Sequence, residues 1–134
     1  MSVDARAADL FARTPVNELL GSRLVQRTPG RVEVRAAVSR AHAQEYGVVQ
    51  GGILGAIADT AAVYLLIPDA MDRGAVTGVE FKMNFLRPVR CDGGELVAVA
   101  EPLKIGRRLA VCRVDLTQDG RHVASGVFTY LVGS

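Results

Sequence analysis

The sequence predicts an α+β fold in which a curved antiparallel β-sheet wraps one long central helix. Three observations carry that expectation. The segment Gly51 to Ile67 is apolar nearly all round, which for a helix means burial on every side rather than along one stripe. Four strand-like segments follow it with no helix between them, so there is nothing to make the crossovers a parallel sheet requires. The chain has 134 residues, enough for one core without disulfides or metal and too few for a separate cofactor domain, so residues 1–134 read as one domain.

The elements follow in order. A short amphipathic helix is expected over about 5–14, anchored by Leu10 and Phe11. It is ended by Thr14-Pro15, because a residue before proline avoids the helical region. From Leu24 the pattern becomes strand-like, clearest in Arg31-Val32-Glu33-Val34-Arg35, where valines face a core and charges face water. His42 to Val49 reads as a loop. The central helix then spans about 51–67 and is closed by Pro68. Its length approaches that of a membrane span, but Asp59 and Pro68 favour a buried core helix. Val76 to Leu86, Glu95 to Glu101, Leu109 to Thr117 and His122 to Val132 supply the sheet, with strict alternation in Val79-Glu80-Phe81-Lys82-Met83-Asn84-Phe85. Turns at Asp92-Gly93-Gly94, Gly106-Arg107 and Asp119-Gly120 separate these four strands, as antiparallel hairpins require. No repeat, low-complexity segment or linker interrupts the pattern.

Charge and cysteine content narrow the function. A net charge of +2 with dispersed charges gives no nucleic-acid arm and no polybasic membrane face. Cys91 and Cys112 lie far apart, outside any CxxC or Cys/His grouping, and read as ordinary thiols with no metal role. The first residues, Met1-Ser2-Val3-Asp4-Ala5-Arg6, lack the apolar stretch of a signal peptide, and a cytoplasmic location is expected.

Asp59 is the only charged residue between Gly51 and Pro68. A carboxylate in an apolar helix costs several kcal/mol unless it is paired or has a task. A wet helix face or a backbone cap would also explain it; a catalytic role explains it more economically. Gly51-Gly52 opens the same helix, and N–H groups there, without side-chain cover, can receive an oxyanion or a carbonyl oxygen. Two glycines can equally serve a tight turn or close packing. Gly51 and Asp59 are roughly 12 Å apart along a helix axis, too far to share one carbonyl. If the same helix of a second subunit packs antiparallel, Gly51 of one chain faces Asp59 of the other, and a two-fold dimer holds two equivalent sites.

The segment Gly47-Val48-Val49-Gln50-Gly51-Gly52-Ile53-Leu54-Gly55-Ala56-Ile57-Ala58-Asp59 resembles the Gly-x-x-His-Gly-Gly pattern, followed by a helical Asp or Glu, of the hotdog-fold thioesterases. The resemblance is to the group that includes PaaI and 4-hydroxybenzoyl-CoA thioesterase. Phe81 to Pro88 looks like that family's central strand and Lys104 to Arg108 like its following turn, so the likeness covers nearly the whole chain. It implies a hotdog fold and an acyl-CoA thioesterase whose Asp59 is nucleophile or general base. It also implies that the Gly51 amide polarises the thioester carbonyl, that Gln44 holds the substrate or attacking water, and that the Thr77 hydroxyl assists that water. Gln44 could equally be a surface loop residue, and Thr77 a strand-edge hydroxyl. Gln50 departs from the pattern: it stands where many relatives have His, cannot titrate near neutral pH, and keeps only a positioning role. His42 and His122 are poorly placed substitutes.

The resemblance makes coenzyme A part of the substrate, with no separate cofactor. Lys104, Arg107 and Arg108 beside a glycine turn suit its phosphates, with Gly52 and Arg87 as further contacts; a solvated basic turn is the alternative. A homo-oligomer is expected, the dimer required for the site and the tetramer implied by the family. Two other functions fit a hotdog domain: a non-catalytic acyl-CoA-binding module, and a hydratase or dehydratase, which would resemble families with a His close to the acid.

Overall fold

The computed structural model describes residues 4–133; Met1 to Val3, part of the segment read for a signal peptide, lie outside them. The first helix, α1 (Ala5–Ala12), is capped by Asp4, whose carboxylate accepts from the Ala7 amide at 2.8 Å. A second short helix, α2 (Pro15–Leu19), follows. Thr14-Pro15 does end α1 as the sequence suggests, but Pro15 then starts α2 at a position where its missing N–H costs nothing. Asn17, buried, donates to the Phe11 carbonyl at 3.1 Å and fastens the two helices together.

The single strand expected from Leu24 is a hairpin of two, β1 (Ser22–Thr28) and β2 (Arg31–Ala36), turned at Pro29-Gly30. The sheet therefore has six strands. The central helix α3 runs Gly51–Val63, shorter than expected. The chain turns over Tyr64 to Leu66 and re-enters a helix at α4 (Ile67–Ala70), so Pro68 opens a helix rather than closing one. Arg27 of β1 explains the stop. Its guanidinium is buried and donates to the carbonyls of Tyr64 at 2.9 Å and Leu65 at 3.0 Å and to Asp69 at 3.1 Å. A cation thus sits on the negative end of α3 and satisfies carbonyls the helix leaves open.

Strands β3 (Val76–Phe85), β4 (Leu96–Ile105), β5 (Leu109–Gln118) and β6 (Arg121–Val132) complete an antiparallel sheet of order β1-β2-β4-β5-β6-β3. The turn at Asp92-Gly93-Gly94 therefore does not close a hairpin: β3 pairs with β6, and β4 lies between β2 and β5. β4 continues past Glu101 because Pro102 sits at a bulge, where a missing N–H is tolerated. Asp119 and Gly120, with φ of 52° and 77°, make the tight β5–β6 turn the sequence predicts. The inward faces of β2, β4, β5 and β6 close on α3, and burying side chains such as Phe128, Ile57 and Leu65 contributes about 1.5–3 kcal/mol each.

The helix is not buried on every side. Leu54, Ile57, Ala58, Ala61 and Ala62 face the sheet, whereas Gly52, Ala56, Asp59 and Val63 form an incompletely covered stripe. Beside it lies β3, a sheet edge beyond β6. Its Phe81 and Phe85 rest against Gly55 and Gly51 but remain 54% and 55% exposed. Among the described residues, no single helix is long and apolar enough to cross a membrane; α3 joined to the segment Ile67–Arg73 passes by composition, but the pair is bent by 48°.

Candidate active site

Asp59 stands on the uncovered stripe of α3, half-buried. Tyr130 of β6 reaches it from the sheet: the phenol hydroxyl is 2.5 Å from Asp59 Oδ1 and 3.3 Å from the Asp59 carbonyl oxygen. Burial, then the neighbouring Asp59 charge, push the Tyr130 hydroxyl far above the usual phenol range, so it stays protonated and donates. Asp59 borders a cavity of about 410 Å³ between the N-terminal helices, the second half of α3 and the start of β3. Leu10, Val16, Val63, Ile67, Met71 and Val76 give that cavity an apolar wall. Polar side chains there are engaged elsewhere: Thr14 donates to the Leu10 carbonyl at 2.7 Å, and Thr60 to the Ala56 carbonyl at 2.9 Å.

The N-terminus of α3 is a second, separate feature. Gln50 is its N-cap residue, with extended backbone, and its side chain caps nothing. Ile53 and Leu54 donate back to the Gln50 carbonyl at 3.0 and 3.3 Å. The Gly51 and Gly52 amides have no acceptor among the described residues, and they carry the positive end of a thirteen-residue helix. A cavity of about 350 Å³ opens in front of Gly51, bordered by Gln44, Leu54, Phe85 and Arg87. Gln44 is brought there by its own turn, in which its amide donates to Val48 at 2.8 Å and its side-chain oxygen accepts from Tyr46. Among the described residues nothing accepts from its side-chain NH₂. Gly51 and Asp59 thus border different cavities of one chain, as their spacing requires.

The other candidates divide between the two ends. Arg87 joins the Gly51 end and donates to the His122 carbonyl at 2.8 Å. Lys104 is the penultimate residue of β4, and Arg107 and Arg108 form the exposed β4–β5 turn; among the described residues none of the three is in an ion pair. That turn sits at the Asp59 end of the sheet. The Val132 amide donates to the Arg108 carbonyl at 2.8 Å, and Val132 pairs with Val76 of the Asp59 cavity. Thr77 is not brought to Asp59 within the chain. It pairs with Leu131, so alternation points its side chain away from the sheet face that carries Tyr130. His42 accepts from the Ser39 amide at 3.1 Å and His122 is 3.2 Å from Asp115, so both are engaged away from Asp59. Both cysteines are free, and among the described residues no His, Cys, Asp or Glu group could hold a metal. Sequence reasoning missed Tyr130. Its signal was a hydroxyl on the inward face of β6, between Phe128 and Val132, which burial obliges to find a partner.

A curved sheet around one helix that carries a lone carboxylate and an open N-terminus defines the hotdog class of thioester-processing proteins. The chain belongs to the thioesterase superfamily, whose family model matches residues 46–125. It is similar to human acyl-coenzyme A thioesterase 13, with 32% identity over 115 residues that cover 83% of this chain and 79% of the relative. Among solved structures, a thioesterase family protein from Silicibacter pomeroyi superposes with a TM-score of 0.84 at 35% identity, covering 95% of each chain. A mutant of the phenylacetic acid degradation protein PaaI from Thermus thermophilus gives 0.79 at 29% identity, covering 88% of this chain and 98% of the other. The chain is a thioester hydrolase with a hotdog fold.

Proposed function

We propose that the protein hydrolyses acyl-CoA thioesters to a free acid and coenzyme A, at sites shared between two copies of the chain. The observation that carries this reading is Asp59 at the mouth of an apolar cavity, on the same helix as an uncapped N-terminus too distant to serve the same chain's carboxylate. Two helices packed antiparallel along Gly52, Ala56, Asp59 and Val63 bring Gly51 of one chain opposite Asp59 of the other; small residues on that stripe permit the approach. The Gly51 amide holds the thioester oxygen as negative charge develops on it. Asp59 either takes a proton from the attacking water or attacks directly to give an anhydride that water then hydrolyses; in both cases the C–S bond breaks and the thiolate of coenzyme A leaves. Gln50 can position but cannot shuttle protons, so proton transfer falls to Asp59.

The same pairing would bring Arg87 of one chain toward Lys104, Arg107 and Arg108 of the other, a basic rim suited to the phosphates of coenzyme A, with Gly52 beside it. Thr77 would serve the water only if assembly brings a neighbouring chain's site to the outer sheet face. Exposed Leu109 and Val127 on that face support pairing of dimers into tetramers. The cavity beside Asp59 favours an apolar acyl group. An apolar cavity of about 150 Å³ takes benzene, so 410 Å³ has room for an arylacyl group or a medium-length chain. The free thiols fit a reducing cytoplasm.

The test is a released-thiol assay across aryl, medium-chain and long-chain acyl-CoAs. Asp59→Ala should remain folded and lose at least about 100-fold in kcat; undiminished turnover would remove Asp59 from the mechanism. Preference for long-chain over medium-chain and aryl substrates would remove the cavity as the acyl site.

A further inference from the structure

From the contact between β6 and α3, we infer that Tyr130 is a positioning residue for the reacting carboxylate, holding Asp59 by Oδ1 so that Oδ2 alone is presented to the thioester. The inference rests on Asp59 being the reacting group. Tyr130 pairs with Gly78 of β3 on one side and Ala110 of β5 on the other, and the residue is 3% exposed. Gly78 and Ala110 leave space on both flanks for the ring; a Cβ at Gly78 would meet it at 3.9 Å. The hydroxyl has one proton to give, and the 2.5 Å contact directs it to Oδ1. Contacts between a neutral hydroxyl and a carboxylate are short and strong.

No other side chain among the described residues hydrogen-bonds Asp59. Without Tyr130 the carboxylate could turn about its side-chain torsions, and either oxygen could drift from the line of attack. A misplacement of about 1 Å in a reacting group costs on the order of 100-fold in rate. Tyr130 lines no part of the apolar cavity proposed for the acyl group. It acts through Asp59, and its removal should therefore reduce kcat rather than substrate binding.

The experiment is a double-mutant cycle of Y130F and D59A, read by kcat, KM and thermal melting. Phenylalanine keeps the ring and removes only the hydroxyl. Y130F should lower kcat by roughly 10- to 100-fold with KM within about twofold. In the D59A background the same change should leave the residual rate unaltered within about twofold, because there is no carboxylate left to hold. Three results would overturn the inference: Y130F with wild-type kcat, Y130F equally damaging in the D59A background, or Y130F unfolded at assay temperature. The last would make the residue a structural one. If D59A itself keeps full activity, the assignment of Asp59 fails first, and that outcome is separable from an active Y130F beside an inactive D59A.

Discussion

Gln50 and Gly51 show how little separates an ordinary helix start from a binding element. A Ser or Asp at the N-cap would consume one of the amides that Gln50 leaves open. The doublet Gly51-Gly52 was legible in the sequence, but its open amides required the backbone. Residue identity also fails to separate the two thiols. Cys112 is buried on the inward face of β5, and burial pushes its thiol up to about 11. Cys91 lies in a turn against the Gly47 carbonyl, only partly buried. Native protein at pH 8 should therefore titrate one thiol per chain with DTNB and two after denaturation. Two fast-reacting native thiols would show that the β5 face opens in solution.

At the scale of elements, periodicity gave the strands because one face of each touches a core, and alternation records that directly. It failed at the two ends of compact connections. Pro29-Gly30 divides one apparent strand into a hairpin, a turn signal overshadowed by continuous alternation across it. The end of α3 was also hidden, since Leu65, Leu66 and Ile67 continue its apolar run and only Arg27, far off in sequence, marks the stop. Arg27→Ala would leave the Tyr64 and Leu65 carbonyls unpaired in an apolar setting. The expected loss is about 3 kcal/mol of stability, seen as a drop of roughly 10 °C in Tm. Arg27→Lys should recover only part of it, because one ammonium cannot fork across two carbonyls and a carboxylate. An unchanged melting curve for Arg27→Ala would show that water replaces the guanidinium there.

At the scale of the whole molecule, the unfinished surface is the informative part. Phe81 and Phe85 on an edge strand, beside a stripe of Gly52, Ala56 and Val63, make an apolar face next to the reacting carboxylate. A shared site predicts complementation between two inactive chains. Gly51→Pro removes the proposed amide donor at a first helical position whose backbone suits proline, after a Gln50 whose ψ of 140° already suits the residue before proline; the exposed Phe85 ring, 3.0 Å from a Cβ at Gly51, shifts to admit it. Gly51→Pro and Asp59→Ala should each be inactive alone. Hetero-oligomers of the two, co-purified through separate tags, should regain up to about half the wild-type rate, since one of every two sites combines the intact halves. Inactive hetero-oligomers that melt like the wild type would refute the shared site.

The sequence by itself determined the layout of one helix among antiparallel strands, the isolation of Asp59, and the distance that separates it from Gly51. Those follow from local rules: period, turn chemistry, and a fixed rise per residue. Only the tertiary structure decided that Tyr130 meets Asp59, that Arg27 ends α3, that Thr77 points away from its own chain's carboxylate, and that one stripe of the helix stays uncovered. Each depends on which strands become neighbours and in what register, and a sheet whose strand order departs from chain order leaves no local trace of those contacts.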